Sequence, residues 1–441
     1  MVGTVLLTRP EMVQAQRAVA AEIAATGAWE TLGDSTLSRL VAEVLRANPD
    51  VQSAVARVRG ARAARLSATL DFVPTVTVAG GYTRQRLAAA SFPIGGGGSF
   101  PDQNIWDAGF DAAWEVDLFG RVRKNVKAQG QLVDAAREDL RNIQVTLAAE
   151  VARTYFELRG AQEQLAVATR NIENQKNTLK VVQDRLDAGT GTAFDTERAK
   201  AQLSSTLAVL PTLQSQVAAA QYRIGVLVGR SPVAVAAELG GTASLPSLPD
   251  SSAITVNDSV VNQRPDVRAA EREYAASRSL VGSAKSEYLP KITVGGQAGF
   301  TSSEFSDLGG DGTFRYAVGP VVSWPALNLG RVKARVNASQ AVADETQARF
   351  RLVVLEAEQE IQTSLVRFRT ANERVAQLSE AAAASERAAE LARLRFSEGV
   401  TDFLQVLDAE RTQLEAQSQL VQGRTDAATA YAALVKSLGG R

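Results

Sequence analysis

Trp106-Asp107-Ala108-Gly109-Phe110-Asp111-Ala112-Ala113-Trp114-Glu115-Val116-Asp117-Leu118-Phe119-Gly120-Arg121-Val122 changes its period within 17 residues. Up to Leu118, apolar or small residues stand at every second position and acids, Gly or Ala fill the alternate ones. This is the pattern of a strand with one apolar and one polar face. From Gly120 to Gly189 there is no proline, and Ala136, Leu140, Ile143, Leu147, Val151, Thr154, Leu158, Ala161, Leu165, Ala168 and Ile172 follow at steps of three and four. That spacing predicts a helix packed in coiled-coil fashion. At 1.5 Å per residue the 69 residues between the two glycines would extend roughly 100 Å.

The unit occurs twice. Pro49-Asp50-Val51 returns as Pro265-Asp266-Val267, and Pro74-Thr75-Val76-Thr77-Val78 as Pro290-Lys291-Ile292-Thr293-Val294, both 216 residues later. Gly120-Arg121-Val122, Gly189 and Gly229 return as Gly330-Arg331-Val332, Gly399 and Gly439, all 210 residues later. In the second copy Ile361, Leu365, Phe368, Asn372, Val375 and Leu378 repeat the helical seam. A repeat this long implies that neither half buries its apolar faces without its twin.

The expected organisation is an N-terminal arm over residues 1–35, a first repeat over 36–229, a linker over 230–254 and a second repeat over 255–441. In the first repeat, helices are expected at about 49–70, 120–187 and 192–228, with strands at about 72–86 and 104–118. In the second, helices are expected at about 265–287, 327–398 and 401–438, with strands at about 290–302 and 313–324. Prolines near the first turns of the short helices and glycines after the long ones are the usual start and stop signals. The hairpin loops, with Gly95-Gly96-Gly97-Gly98 and Gly309-Gly310-Asp311-Gly312, lack the Lys and helix start of a phosphate cradle and read as exposed loops.

Composition narrows the function. Lys plus Arg and Asp plus Glu number 48 each, so no global field recruits nucleic acid or acidic lipid. Cysteine and histidine are both absent, which removes thiolate nucleophiles, disulfides, Cys/His zinc sites and the commonest general base. We therefore expect no enzyme, cofactor or metal site. No apolar run approaches the ~18 residues of a spanning helix, and the first ten residues are too short for a signal h-region. Strands are a different matter. A half-buried soluble sheet shows the same alternation, but three Trp at strand positions and helices too long to cover a sheet fit a membrane barrel better. Four strands cannot close a barrel alone, so several chains would contribute.

Ala47-Asn48-Pro49-Asp50, Trp114-Glu115-Val116-Asp117-Leu118-Phe119-Gly120-Arg121 and the stretch from Arg395-Phe396-Ser397-Glu398-Gly399-Val400-Thr401-Asp402-Phe403 to Asp408-Ala409-Glu410-Arg411 resemble the signature segments of TolC-like outer-membrane efflux proteins. The resemblance runs from about Trp29 onward and is closest to the OprM-like factors of resistance-nodulation-division (RND) pumps. It implies a mainly α fold with a membrane β-barrel part: a homotrimer whose 12-stranded barrel, four strands per chain, continues as a long periplasmic α-helical barrel with an equatorial belt. The implied function is a passive exit duct for drugs or other small molecules, served by an inner-membrane RND-type pump and a periplasmic adaptor and seated in outer-membrane lipid. Type I protein secretion uses the same fold, and a soluble coiled-coil scaffold explains the helices but not the strands. Members of this branch usually begin, once processed, with a lipid-modified cysteine. Either the native start differs from this one, or the barrel alone anchors the chain.

The resemblance also assigns roles. Asp408 falls where the family has a constricting aspartate, and three copies would form an anionic ring that favours cations. From spacing alone, Asp408 would instead pair with Arg411 on a solvated face. Asp195, Arg395 and Phe396 fall at the closed tip, with Phe396 where tyrosine is frequent, and Asp408 with Phe396 is the expected constriction. Gly189, Gly191, Gly399, Thr401 and Phe403 are the expected adaptor contacts. Asp107, Asp111, Glu115 and Asp117 would line the barrel and bias it toward cations, or simply form a wet face. Trp106, Phe110, Trp114, Phe314, Tyr316 and Trp324 would face lipid.

Overall fold

The computed structural model describes residues 27–88, 101–241, 244–249 and 258–440. The elements are α1 (Ser35–Ala47), α2 (Pro49–Leu70), β1 (Thr75–Gln85), β2 (Gln103–Val116), α3 (Arg121–Asp187), α4 (Ala193–Leu207), α5 (Leu210–Leu227), α6 (Pro232–Glu238), α7 (Pro265–Ser286), β3 (Lys291–Ser302), β4 (Phe314–Ser323), α8 (Leu329–Ser397) and α9 (Phe403–Ser437). Two short 3-10 turns, Asp258–Gln263 and Phe305–Asp307, complete them. Gly95–Gly98, residues 1–26 of the expected arm, and residues 242–243 and 250–254 of the expected linker lie outside the described residues.

The long helices are continuous, 67 residues in α3 and 69 in α8. At the start of α3, Asp117 accepts from the backbone N–H of Val122 at 3.0 Å and of Arg123 at 2.9 Å, which satisfies two orphan donors. Two expectations need correction. The helix expected over 192–228 is broken into α4 and α5, because Pro211 cannot donate to the Leu207 carbonyl and crowds it. The linker expected over 230–254 contains α6, which starts at Pro232 and buries Val235.

Contacts divide the chain into two compact bodies that cut across the repeats. One holds the described residues of Met1–Ala56, Glu138–Arg268 and Leu352–Arg441; the other is Arg57–Arg137 with Ala269–Arg351. In the first body the main core gathers Leu37, Leu40, Val41 and Val44 of α1 with Tyr155, Phe156 and Leu158 of α3, Ile224 of α5, Phe368 of α8 and Leu434 of α9. Asp34 caps α1 through the Thr36 and Leu37 N–H groups at 2.8 and 3.0 Å and also accepts the Tyr155 hydroxyl at 2.6 Å. Burial and that carboxylate push the Tyr155 phenol up to about 12.

The second body carries the sheet, ordered β1-β2-β3-β4 and antiparallel throughout. Each repeat supplies one hairpin, and β2 joins β3 from Trp106↔Ser302 to Val116↔Ile292. Gly109 and Gly299 oppose each other so closely that a methyl on either would stand 2.7 or 2.5 Å from a carbonyl oxygen of the other strand. This approach needs glycine on both strands.

Candidate functional site

Residues opposite one another in a sheet share a face, so the register sorts the strand side chains. One face carries Val76, Val78 and Tyr82 of β1, Trp106, Phe110 and Trp114 of β2, Ile292, Val294 and Phe300 of β3, and Phe314, Tyr316, Val318 and Val322 of β4. These side chains are largely exposed, Tyr316 at 74% and Val318 at 75%. Aromatics cluster toward the loop end, where Tyr82 lies 4.5 Å from Trp106 and Phe300 5.8 Å from Phe314. At the helix end, Trp114 donates its indole N–H to the Phe72 carbonyl at 2.8 Å, and Trp324, one residue past β4, donates to the Tyr288 carbonyl at 3.0 Å. The row between, Val76, Ala112, Gly296 and Val318, is small or aliphatic. Among the described residues no helix is long and apolar enough to cross a membrane, which says nothing of strands.

The other face carries the acids expected either to bias a lumen toward cations or to form a wet face, and three of the four are ion-paired. Asp107 accepts from Arg315 at 2.8 Å and from Thr301 at 2.6 Å, and Arg315 also holds Gln297. Glu115 is held by Arg121 at 2.6 Å and by Lys291 at 3.0 Å, and Asp117 by Arg123 at 3.1 Å. Of the four, only Asp111 has no partner among the described residues. Neutralised carboxylates cannot set ion preference as free ones do.

In the first body, the ends of α3 and α8 turn into α4 and α9. Gly189 and Gly399 adopt φ of +75° and +76°, the left-handed cap that lets each long helix stop. Thr192 caps α4 by accepting the Asp195 backbone N–H at 3.2 Å, and its hydroxyl donates to the Asp195 carboxylate at 2.6 Å, so Asp195 belongs to its own helix start. Between the helices lies a small core of Val182, Ala199, Phe396, Phe403 and Val406.

This core corrects two expectations. Phe396 is 7% and Phe403 4% exposed, their rings 5.7 Å apart, so Phe396 cannot line a constriction and Phe403 cannot offer its ring to an adaptor. On α9 the buried stripe is Phe403, Val406, Glu410 and Gln413. Asp408 lies two residues from both Val406 and Glu410, hence on the opposite, exposed side. It also has no ion pair with Arg411, which reaches Glu415 at 3.5 Å. Among the described residues the Asp408 carboxylate is unpartnered, as is the exposed Arg395. Gly189, Gly399 and Thr401 lie at the turns, with Thr401 donating to Gln405 at 2.5 Å. Gly191 packs its backbone on Arg185 and Leu186, where a Cβ would meet the Leu186 nitrogen at 2.9 Å.

A profile of outer membrane efflux proteins matches residues 40–230 and 257–440, one stretch for each copy of the repeat. The chain belongs to the outer membrane efflux protein family. This efflux protein is similar to the probable efflux pump outer membrane protein SepC of Pseudomonas putida, 28% identical over 408 residues, which are 92% of this chain and 84% of SepC. It is 27% identical over 417 residues to the pyoverdine export outer membrane protein OpmQ of Pseudomonas aeruginosa, covering 93% of this chain and 86% of OpmQ. Among solved structures it matches the outer-membrane channel OprN at a TM-score of 0.87 and 36% identity, over 94% of this chain and 92% of that one. It is an outer membrane efflux channel of the Gram-negative type.

Some groups of the efflux protein were not singled out from sequence. Arg185 donates to the carbonyls of Phe396 and Ser397 and stacks 4.2 Å from the Phe396 ring centroid, which ties the end of α3 to the end of α8. Glu410, 3% exposed, accepts from Thr178 of α3 at 2.8 Å and from Arg393 of α8 at 3.3 Å. The one available signal for Arg185 was a basic residue in the last turn of a long helix, where carbonyls are unpaired.

Proposed function

We propose that three copies of this chain form the exit duct of a tripartite efflux pump, with a periplasmic adaptor and an inner-membrane transporter delivering small molecules to it. Strands β1–β4 supply four of twelve barrel strands, and the helices continue the duct into the periplasm. The observation that carries this reading is the sheet: among the described residues both edges, β1 and β4, are unpaired, and one face is apolar with aromatics toward both ends. An open edge needs a partner, and an apolar band between aromatic girdles is what lipid requires. From Trp106 to Trp114 a strand climbs about 27 Å along its length, or about 20 Å at a typical barrel tilt, close to the ~25 Å band of such barrels.

At the periplasmic end, the exposed Asp408, unpartnered among the described residues, forms a ring of three carboxylates that narrows the duct and favours cations. Phe396 works behind it as part of the core that holds α9 in place. The turns at Gly189, Gly399 and Thr401, with the adjoining helix faces, receive the adaptor.

Single-channel recording in planar bilayers tests the gate. Asp408→Ala is expected to raise the conductance and weaken cation preference, whereas Phe396→Ala is expected to act through tip stability; an unchanged conductance and ion preference for Asp408→Ala removes it from the gate. Threefold particles in detergent support the duct, and monomers that need no detergent overturn it.

A further inference from the structure

At the loop end of the apolar face, β1 continues beyond the aromatic girdle. Tyr82 and Trp106 oppose each other in register, and Phe305 of the second hairpin packs 5.1 Å from Trp106. Two residues beyond Tyr82, and therefore on the same side, stands Arg84, opposite Asn104. Arg84 reaches Asp102 at 3.0 Å, and Arg86 reaches the other oxygen of the same carboxylate at 2.5 Å. The arginine side chains are 64% and 65% exposed and Asp102 34%. Asn104 accepts the Tyr82 hydroxyl at 3.0 Å, which locks the tyrosine tip to this end of the girdle.

One carboxylate cannot neutralise two guanidinium groups, so the cluster keeps a net positive charge. Each guanidinium has five N–H donors. The contacts to Asp102 occupy one on each, and the arginine side chains make no other ion pair among the described residues. Two planar, weakly hydrated cations side by side match a phosphate, which arginine binds with paired hydrogen bonds. The position matters as much as the charge. Aromatic girdles sit at the depth of lipid headgroups, and the next same-face position beyond one is where a headgroup anion lies. In the proposed duct, whose helices lie in the periplasm, the strand ends away from the helices face the cell exterior, where the leaflet is built of phosphorylated glycolipid.

We propose that Arg84 and Arg86, organised by Asp102, dock a phosphate of the outer-leaflet glycolipid against the Tyr82–Trp106–Phe305 cluster. This rests on the sheet being the membrane wall. The docked lipid covers the exposed end of β1, the strand at one open edge of the sheet, and its acyl chains continue along Tyr82 and Val78.

Binding of purified diphosphorylated lipopolysaccharide to the full-length protein in detergent tests the proposal. The doubly substituted Arg84→Ala, Arg86→Ala protein should bind about tenfold or more weakly. The unaltered protein should lose a similar factor toward the same glycolipid stripped of its phosphates. A pair of Arg→Lys substitutions, which keep charge but lose paired donors, should fall between. Equal affinity for wild type and double variant, for glycolipid with and without phosphate, or for phosphatidylglycerol and lipopolysaccharide overturns the assignment. Quenching of Trp106 fluorescence by brominated lipid in vesicles separates this from the underlying reading: quenching without an arginine effect sinks only the docking site, and no quenching sinks the membrane wall itself.

Discussion

In the first copy of the repeat the Asn48 amide donates to the Leu227 carbonyl at 2.8 Å; in the second, Arg264 donates to the Ser437 carbonyl at 2.9 Å. Asn48 and Arg264 precede the equivalent prolines Pro49 and Pro265, and the two acceptors lie at equivalent ends of α5 and α9. Both side chains answer one demand, an orphan carbonyl at the end of a buried helix. The answers differ in what they bring with them. A neutral amide ends the matter, whereas a guanidinium 8% exposed calls for carboxylates and finds Asp266 at 2.7 Å and Glu360 at 2.6 Å. Glu360 then takes Lys436 at 2.8 Å. Its twin Glu150 serves Arg153 instead, at 2.7 Å. Duplication thus preserved a backbone requirement while the chemistry that meets it diverged.

Breaking the charged version should cost most. Arg264→Ala leaves Asp266 without its ion pair, Glu360 with Lys436 alone and the Ser437 carbonyl unpaired, and a loss of about 3–5 kcal/mol is expected, read as a fall in the thermal midpoint of the detergent-solubilised protein. Arg264→Asn imports the solution used by the first copy and should lose clearly less than Ala; an equal loss would show that the two sites are not interchangeable. Asn48→Ala, which removes the bond to Leu227 and the 2.7 Å bond from the Asp50 N–H, should cost about 1–3 kcal/mol. A smaller change concerns the break between α4 and α5, whose equivalent in α9 is continuous with Val421 in place of Pro211. Pro211→Val restores one backbone donor and should raise helical circular dichroism with a gain of about 1 kcal/mol; an unchanged spectrum would locate the cause of the break elsewhere.

The smallest effect is in acid. For Glu360, burial pushes the carboxyl up, but the hydrogen bonds from Lys436 and Arg264 outweigh it and hold it below its ordinary 4.5. For Glu150 the hydrogen bonds from Arg153 lead, again below 4.5. A carboxylate depressed on folding stabilises above its unfolded pKa, and that share is lost as pH falls through the folded value. Both copies should therefore lose stability below about pH 4.5, and Glu360→Gln or Glu150→Gln should flatten that part of the profile; a profile unchanged by both would dismiss the linkage.

The tip repeats the lesson. Arg185 and Arg395 are equivalent in the two copies, yet Arg185 clasps the carbonyls of Phe396 and Ser397 while Arg395 has no partner among the described residues. Spacing located both turns, because a glycine at positive φ after a proline-free helical run is a local signal. It could not say which arginine is engaged. Nor could it say that Phe396 points inward: helical period places Phe396 on a face, and only the packing of Phe403 and Val406 against that face shows it to be buried. Asp408 was singled out by resemblance alone, while spacing paired it with Arg411; that Arg411 turns to Glu415 instead depended on the packing.

From sequence alone came the duplication, the two periods, the long helices, the four strands and the apolar side of the sheet, all readable because each is a pattern among neighbours along the chain. Tertiary structure decided which charges are spent. Asp107 is neutralised by Arg315, 208 residues away, and shares Thr301, 194 residues away. An ion pair is a property of two side chains in space, and the strand register that brings β2 beside β3, with β4 next beyond it, is set by the whole sheet. The periodicity of either strand can state which face a residue takes, but not what it meets there.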